Sequence, residues 1–201
     1  MSSEDLTFAV VALSAVFFVV DPIATVPVFL SITARDSVDG RRQTARLAAV
    51  AAGILLSLFA AAGGVIFQAF GITLGAFKIA GGIMLLLMSI DMMRAQPSST
   101  RTSAEEQTES RDSAARSEIA IVPLAIPMLA GPGAIATVMV LMSKAAWQPF
   151  RTVAVFLAIA ITCGIAWLLM RSAAAAERLM PKTILHALER VMGLLLAAVA
   201  V

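Results

Sequence analysis

Residues 17–29 read FVVDPIATVPVFL, an aspartate and two prolines set inside one of the most apolar runs of the chain. In a water-soluble protein, Asp21, Pro22 and Pro27 would mark a turn between two core segments. The flanks exclude that. Asp21 is the only charged residue between Asp5 and Arg35, and the hydrocarbon layer of a bilayer takes about 20 predominantly apolar residues per helix. Stretches between Arg46 and Lys78, Glu118 and Lys144, and Arg151 and Arg171 carry no charge at all. Two more apolar segments cover residues 72–93 and 183–201.

The composition agrees, with 60% hydrophobic residues, 14% charged residues and a mean hydropathy of +0.92. That is more apolar surface than a 201-residue globule can hide from water. Barrel strands would alternate apolar and polar residues, and no such alternation is present, so the spans are helices. The predicted fold class is all-α, a polytopic membrane protein with six transmembrane helices.

The N-terminal MSSEDLTF is acidic where a secretory leader is basic, so the first span is expected to be retained. Cys163 is the only cysteine, which excludes an intrachain disulfide and a cysteine-built metal site; it is expected to serve packing. His186, the only histidine, stands near Lys182, Glu189 and Arg190 and reads as interfacial. No metal site, cofactor or enzymatic constellation is expected.

Basic residues give an orientation. Loops one, three and five hold Arg35, Arg41, Arg42 and Arg46, then Arg94, Arg101, Arg111 and Arg116, then Arg171, Arg178 and Lys182; the other loops hold only Lys144 and Arg151. The positive-inside rule then places both termini outside, on the periplasmic side of a bacterial inner membrane. These loops account for a pI near 9.2, and no basic face interleaved with aromatics points to nucleic acid.

Residues 94–118 are polar, mixed in charge and aperiodic, and read as a flexible cytoplasmic linker. The linker separates two three-span units, 1–93 and 119–201. Residues 23–31 read IATVPVFLS and residues 135–143 read IATVMVLMS. Lys78-Ile79-Ala80-Gly81 and Arg190-Val191-Met192-Gly193 repeat a basic, β-branched, apolar, glycine pattern at the same offset, and Gly53 and Gly164 fall one residue off it. Three spans reverse sidedness, so a duplicated unit of three forms a 3+3 inverted repeat about an axis in the membrane plane.

Asp21 lies midway along span one. The matching middle of span four is PMLAGPGAIATV, residues 127–138, with Gly131, Pro132 and Gly133. Proline removes a backbone donor and glycine permits unusual dihedrals, so helices 1 and 4 are predicted to be broken near the membrane centre. Irregular backbone survives at that depth only against protein or a wet cavity. A central aspartate adds about 2.5–3.5 kcal/mol of insertion cost. Capping of the half-helix that starts at Pro22 is one account of it. The fuller account is a site at the two breaks, formed by Asp21, Pro22, Thr25, Pro27, Gly131, Pro132, Gly133 and Thr137. Helix starts and hydroxyls would meet a substrate carboxylate there, and Asp21 would meet an ammonium, a coupling proton or a sodium ion.

DPIATVPVFL, PLAIPMLAGPGAIATVMVL, FKIAGGIMLLLMSIDMM and ERVMGLLLAAVAV together resemble the MarC/SnatA family of bacterial inner-membrane proteins, over nearly the whole chain. The resemblance implies a transporter of the neutral amino acid type, with glycine, alanine or threonine as substrates of some members. Ala24 stands where members commonly carry glycine. The expected function is a secondary transporter of small neutral amino acids, driven by a gradient because no P-loop is present. The alternatives are a passive pore, a structural membrane protein, and an intramembrane aspartyl enzyme using Asp21 with Asp91, which the unequal depths of those residues disfavour. Expected partners are the lipid bilayer and a small amino acid, with a homo-oligomer left open. Gly71, Gly75, Gly81 and Gly82 are expected to allow close helix packing, with a hinge at Gly81-Gly82 as the alternative. Lys78 is expected to snorkel to the outer surface or to pair with a carboxylate.

Overall fold

A helix rich in Ala, Val, Leu and Phe needs only a start signal, and the chain supplies several. The first helix, α1 (Ser3–Val20), opens with Glu4 and Asp5, whose charges oppose the positive end of the helix dipole. Helix α2 (Pro22–Ile32) starts on a proline, which lacks the amide that a first turn leaves unbonded anyway. Ser37 caps α3 (Val38–Ala69), its Oγ accepting from the Gly40 amide at 3.1 Å. That helix stops where Gly71 takes φ +64° and the Ile72 amide donates to the Phe67 carbonyl at 2.9 Å. Thr73 caps α4 (Leu74–Met93) through the Ala76 amide at 3.1 Å. Phe59, Phe67 and Phe77 close the α3–α4 corner, with ring centroids 5.1–6.2 Å apart.

The second half repeats the theme. Segment α5 (Ala120–Leu129) is wound as a π-helix, α6 (Pro132–Ala145) starts on a proline, and α7 (Pro149–Ala176) does so again. The computed structural model describes residues 3–33, 36–93, 120–146, 148–176, 194 and 197. The expected linker at 94–118, the body of the sixth span and His186 lie outside them, as do the side chains of Lys78 and Asp91.

Among the described residues every regular element is a helix. Ser3–Leu30, Val38–Ala69 and Pro149–Ala174 are long and apolar enough to cross a membrane, and Pro132–Ala145 is a shorter apolar helix. Side-chain sizes are distributed in the manner of a lipid-embedded bundle. The core is lined by Ala12, Ala45, Ala48, Ala52, Ala158 and Ala166, which let backbones approach closely. Large apolar side chains such as Phe18, Val65 and Phe70 stand more than two-thirds exposed, a distribution that water would penalise and acyl chains accept.

Most contacts join one half of the chain with the other. Helix α3 packs on α7, α6 and α5, while α7 packs on α1 and α2 as well as α3; α4 lies against α6 and α5. A Cβ built on Gly53, midway along α3, would touch Cys163 Sγ and Cβ at 3.7 and 3.8 Å. Arg42 and Arg46 near the start of α3 share a recess with Trp167 and Arg171 near the end of α7, so the two helices run antiparallel.

Candidate functional site

Two places interrupt the helical path, and both lie beside prolines that block helix continuation. At the first, Asp21 alone separates α1 from α2 and takes φ +46°, a left-handed conformation that aspartate tolerates better than most residues. Its amide still donates to the Phe17 carbonyl at 3.0 Å, and its own carbonyl accepts from the Thr25 amide at 3.3 Å. Asp21 Oδ1 accepts from the Ala24 amide at 3.1 Å, so the carboxylate caps α2. The side chain is exposed, among the exposed Phe18, Val19 and Ile23.

At the second, Ala130 and Gly131 separate α5 from α6. The Ala130 amide donates to the Ala125 carbonyl, five residues back, at 2.8 Å. Gly131 is extended, with φ −69° and ψ 169°, and no side chain caps the helix that follows. Pro132 has no amide. The first-turn amides of Gly133 and Ala134 are those a helix start leaves without an intrahelical acceptor.

The interruptions adjoin. A Cβ on Gly133 would lie 3.3 Å from Val19 Cγ1, two residues before Asp21, and α1 packs on α6 while α2 packs on α5. Pro132 is buried under Gly81 of α4, where a Cβ would fall 1.6 Å from the Pro132 Cγ. Only a glycine fits there. The expected close approach at Gly81 therefore has a partner, the proline that opens α6.

The remaining residues named from the sequence are placed as follows. Pro22 and Gly131 are buried, and Pro27 sits half-buried inside α2. Thr25 is 1% exposed, and its hydroxyl donates to the Asp21 carbonyl at 3.1 Å. Thr137 is half-buried and donates to the Gly133 carbonyl at 2.8 Å. Both protons are committed to the backbone, which leaves the hydroxyl lone pairs as what these side chains can offer. Asp21 and Gly133 stand in the same register relative to the repeated Ile-Ala-Thr-Val block, so a carboxylate occupies one copy and a bare backbone the other.

The chain matches the model of the MarC family of integral membrane proteins over residues 6–201. It belongs to the MarC family. A UPF0056 membrane protein of Methanocaldococcus jannaschii is 38% identical to it, over 98% of this chain and 94% of the relative. The UPF0056 membrane protein YvbG of Bacillus subtilis is 33% identical over 97% and 91%, and YhcE of Escherichia coli is 32% identical over 92% and 84%. No solved structure matches this MarC chain.

Two features of this MarC family member escaped sequence reasoning. Arg151 at the start of α7 donates to Asp5 Oδ1 at 3.1 Å, approaches Glu4 Oε2 at 3.6 Å and stacks 5.5 Å over the Phe8 ring. No local spacing announces a pair so distant in sequence. The other is the recess of Arg42, Gln43, Arg46, Trp167 and Arg171. Its signal was present in the four-residue spacings Arg42/Arg46 and Trp167/Arg171, but only antiparallel packing of α3 on α7 merges them.

Proposed function

We propose that this protein is a secondary transporter of small neutral amino acids or similar small zwitterions, working by alternating access around the junction of α1, α2, α5 and α6. The observation that carries this reading is that two helix starts of opposite character lie at breaks whose flanking elements pack together, with Val19 before the first reaching Gly133 of the second. One presents the Asp21 carboxylate, and the other presents uncapped amides at Gly133 and Ala134. An amino acid holds an ammonium and a carboxylate on one carbon. Its carboxylate suits the amides, where the helix dipole is also favourable, and its ammonium suits Asp21 and the lone pairs of Thr25 and Thr137. A coupling proton or sodium ion would use the same carboxylate.

Alternating access fits a 3+3 inverted repeat, residues 1–93 against 119–201, whose first spans are each broken near the membrane centre. The antiparallel crossing of α3 and α7 supports it. Residues on a two-fold axis meet their own counterparts, and Gly53 meets Cys163, the neighbour of its repeat mate Gly164. The packing of α3 on α5 and α6 likewise matches that of α7 on α1 and α2. The excess of arginine in the first, third and fifth loops favours both termini outside, in the bacterial inner membrane.

Counterflow tests the reading. Proteoliposomes preloaded with unlabelled glycine, alanine or threonine are expected to accumulate the labelled amino acid transiently, with saturation. Uptake that rises linearly with concentration would make the protein a pore, and no exchange of any neutral amino acid would sink the proposal.

A further inference from the structure

The recess between the start of α3 and the end of α7 has a volume of about 370 Å³ and is lined by Arg42, Gln43, Arg46, Trp167 and Arg171. Among the described residues its lining holds three guanidiniums and no carboxylate. Arg42 has an ion pair with Asp39 at 3.3 Å, but the Asp39 side chain is 91% exposed, and a pair this open to solvent contributes little. Arg171 lies 5.3 Å over the Trp167 ring, a contact that orients its planar fork without neutralising it. Three like charges gathered around one concavity repel one another, and an anion seated between them removes that cost. Guanidinium forks match the oxygens of phosphate in a bidentate manner.

Depth identifies the source of the phosphate. Gly53 lies midway along α3, and at 1.5 Å per residue Arg46 and Arg42 lie about 10 and 16 Å from it along the axis. Half the hydrocarbon layer is about 15 Å thick, so the guanidiniums reach the level of lipid headgroups. On the same scale Trp167, four residues beyond the Cys163 that faces Gly53, lies about 6 Å from the level of Gly53, beneath the guanidiniums and within reach of an acyl chain. Toward the bilayer centre the surface changes character. Val50 and Ile54 continue the line of Arg42 and Arg46 along α3 at four-residue steps, and both are more than half exposed. A free anion has no use for that aliphatic track, whereas a lipid carries an acyl chain to lay along it.

We propose that the Arg42–Arg46–Arg171 recess binds the phosphate of an anionic phospholipid, with the acyl chain running along Val50 and Ile54. The site is separate from the helix junction, and its test needs no transport. Trp147→Phe leaves Trp167 as the sole indole and hence as the reporter. In vesicles of phosphatidylcholine doped with brominated phosphatidylglycerol, Trp167 is expected to be quenched several times more strongly than with equally doped brominated phosphatidylcholine. Arg42→Gln/Arg46→Gln in the same background is expected to abolish that preference, since each basic residue near a charged bilayer adds about a fivefold attraction and the two together about twenty-fivefold. Arg171→Gln, which leaves α3 untouched, is expected to weaken it too. Equal quenching of the parent by the two lipids would overturn the proposal, and so would loss of the preference on adding millimolar inorganic phosphate, which would make the ligand a free anion.

Discussion

At Asp21 a single residue turns the chain, and its own carboxylate caps the helix that follows; at Ala130–Gly131 two residues do so, and no side chain caps. The first interruption lies in helices that keep α-type hydrogen bonds up to the break, while the second follows a segment wound with five-residue bonds. One break is thus charged and self-satisfied, the other neutral and open. The difference gives the junction a polarity that two identical breaks would lack, and a polar junction can orient an asymmetric ligand.

The largest expected effect separates charge from shape. Asparagine caps a helix and tolerates positive φ about as well as aspartate, so Asp21→Asn removes the charge alone. Counterflow should fall at least about tenfold, the consequence of losing one charged contact to an ammonium, while thermal stability in detergent moves by less than about 0.5 kcal/mol. Retained exchange would leave Asp21 as a cap and nothing more.

Gly81→Ala comes next. The new methyl cannot share space with the Pro132 ring, so α4 must move off α6 at a cost of about 1–3 kcal/mol, read as a lowered unfolding temperature. Gly63→Ala is the control for it. A Cβ there would lie 2.8 Å from Met139 Cγ and Sδ, but that side chain is flexible and can turn aside, so the loss should be clearly smaller.

A third comparison weighs cap against strain at Asp21. Alanine loses the cap and keeps the unfavourable φ, and should destabilise by about 1–2 kcal/mol. Glycine loses the cap but is at ease at φ +46°, and should come out near neutral in the same melting experiment. If the two variants melt alike, the backbone at this break is not strained.

The gentlest test concerns the halves themselves. Gly53→Cys would place a Cβ 3.8 Å from Cys163 Cβ, within the range that disulfides adopt. Mild oxidant should then yield an internal bridge, seen as a mobility change reversed by reductant, with little effect on folding.

Much of this was legible in the sequence. Asp-Pro and Gly-Pro inside apolar runs announce helix starts because proline is favoured at a first turn, where its missing amide costs nothing, and α2 and α6 start at those pairs. The π-wound course of Ala120–Leu129 was not legible. Pro123 and Pro127 signal a bend, but whether the chain kinks or widens depends on what packs around it. The partner of Gly81 was also hidden, since glycine says that something comes close without saying what. Asp21 as a cap could be read from its neighbour; the approach of Val19 to Gly133 could not, because contacts between distant segments leave no mark in local spacing.

Arg151, held by Asp5, Glu4 and Phe8, fastens the beginning of α7 to the beginning of α1, which belong to opposite halves. At the far end of α7, the described residues set arginines against arginines. The bundle is therefore clasped at one rim and self-repelling at the other. Concentrated salt weakens the clasp and the repulsion together, so how tightly each rim closes depends on the ionic medium.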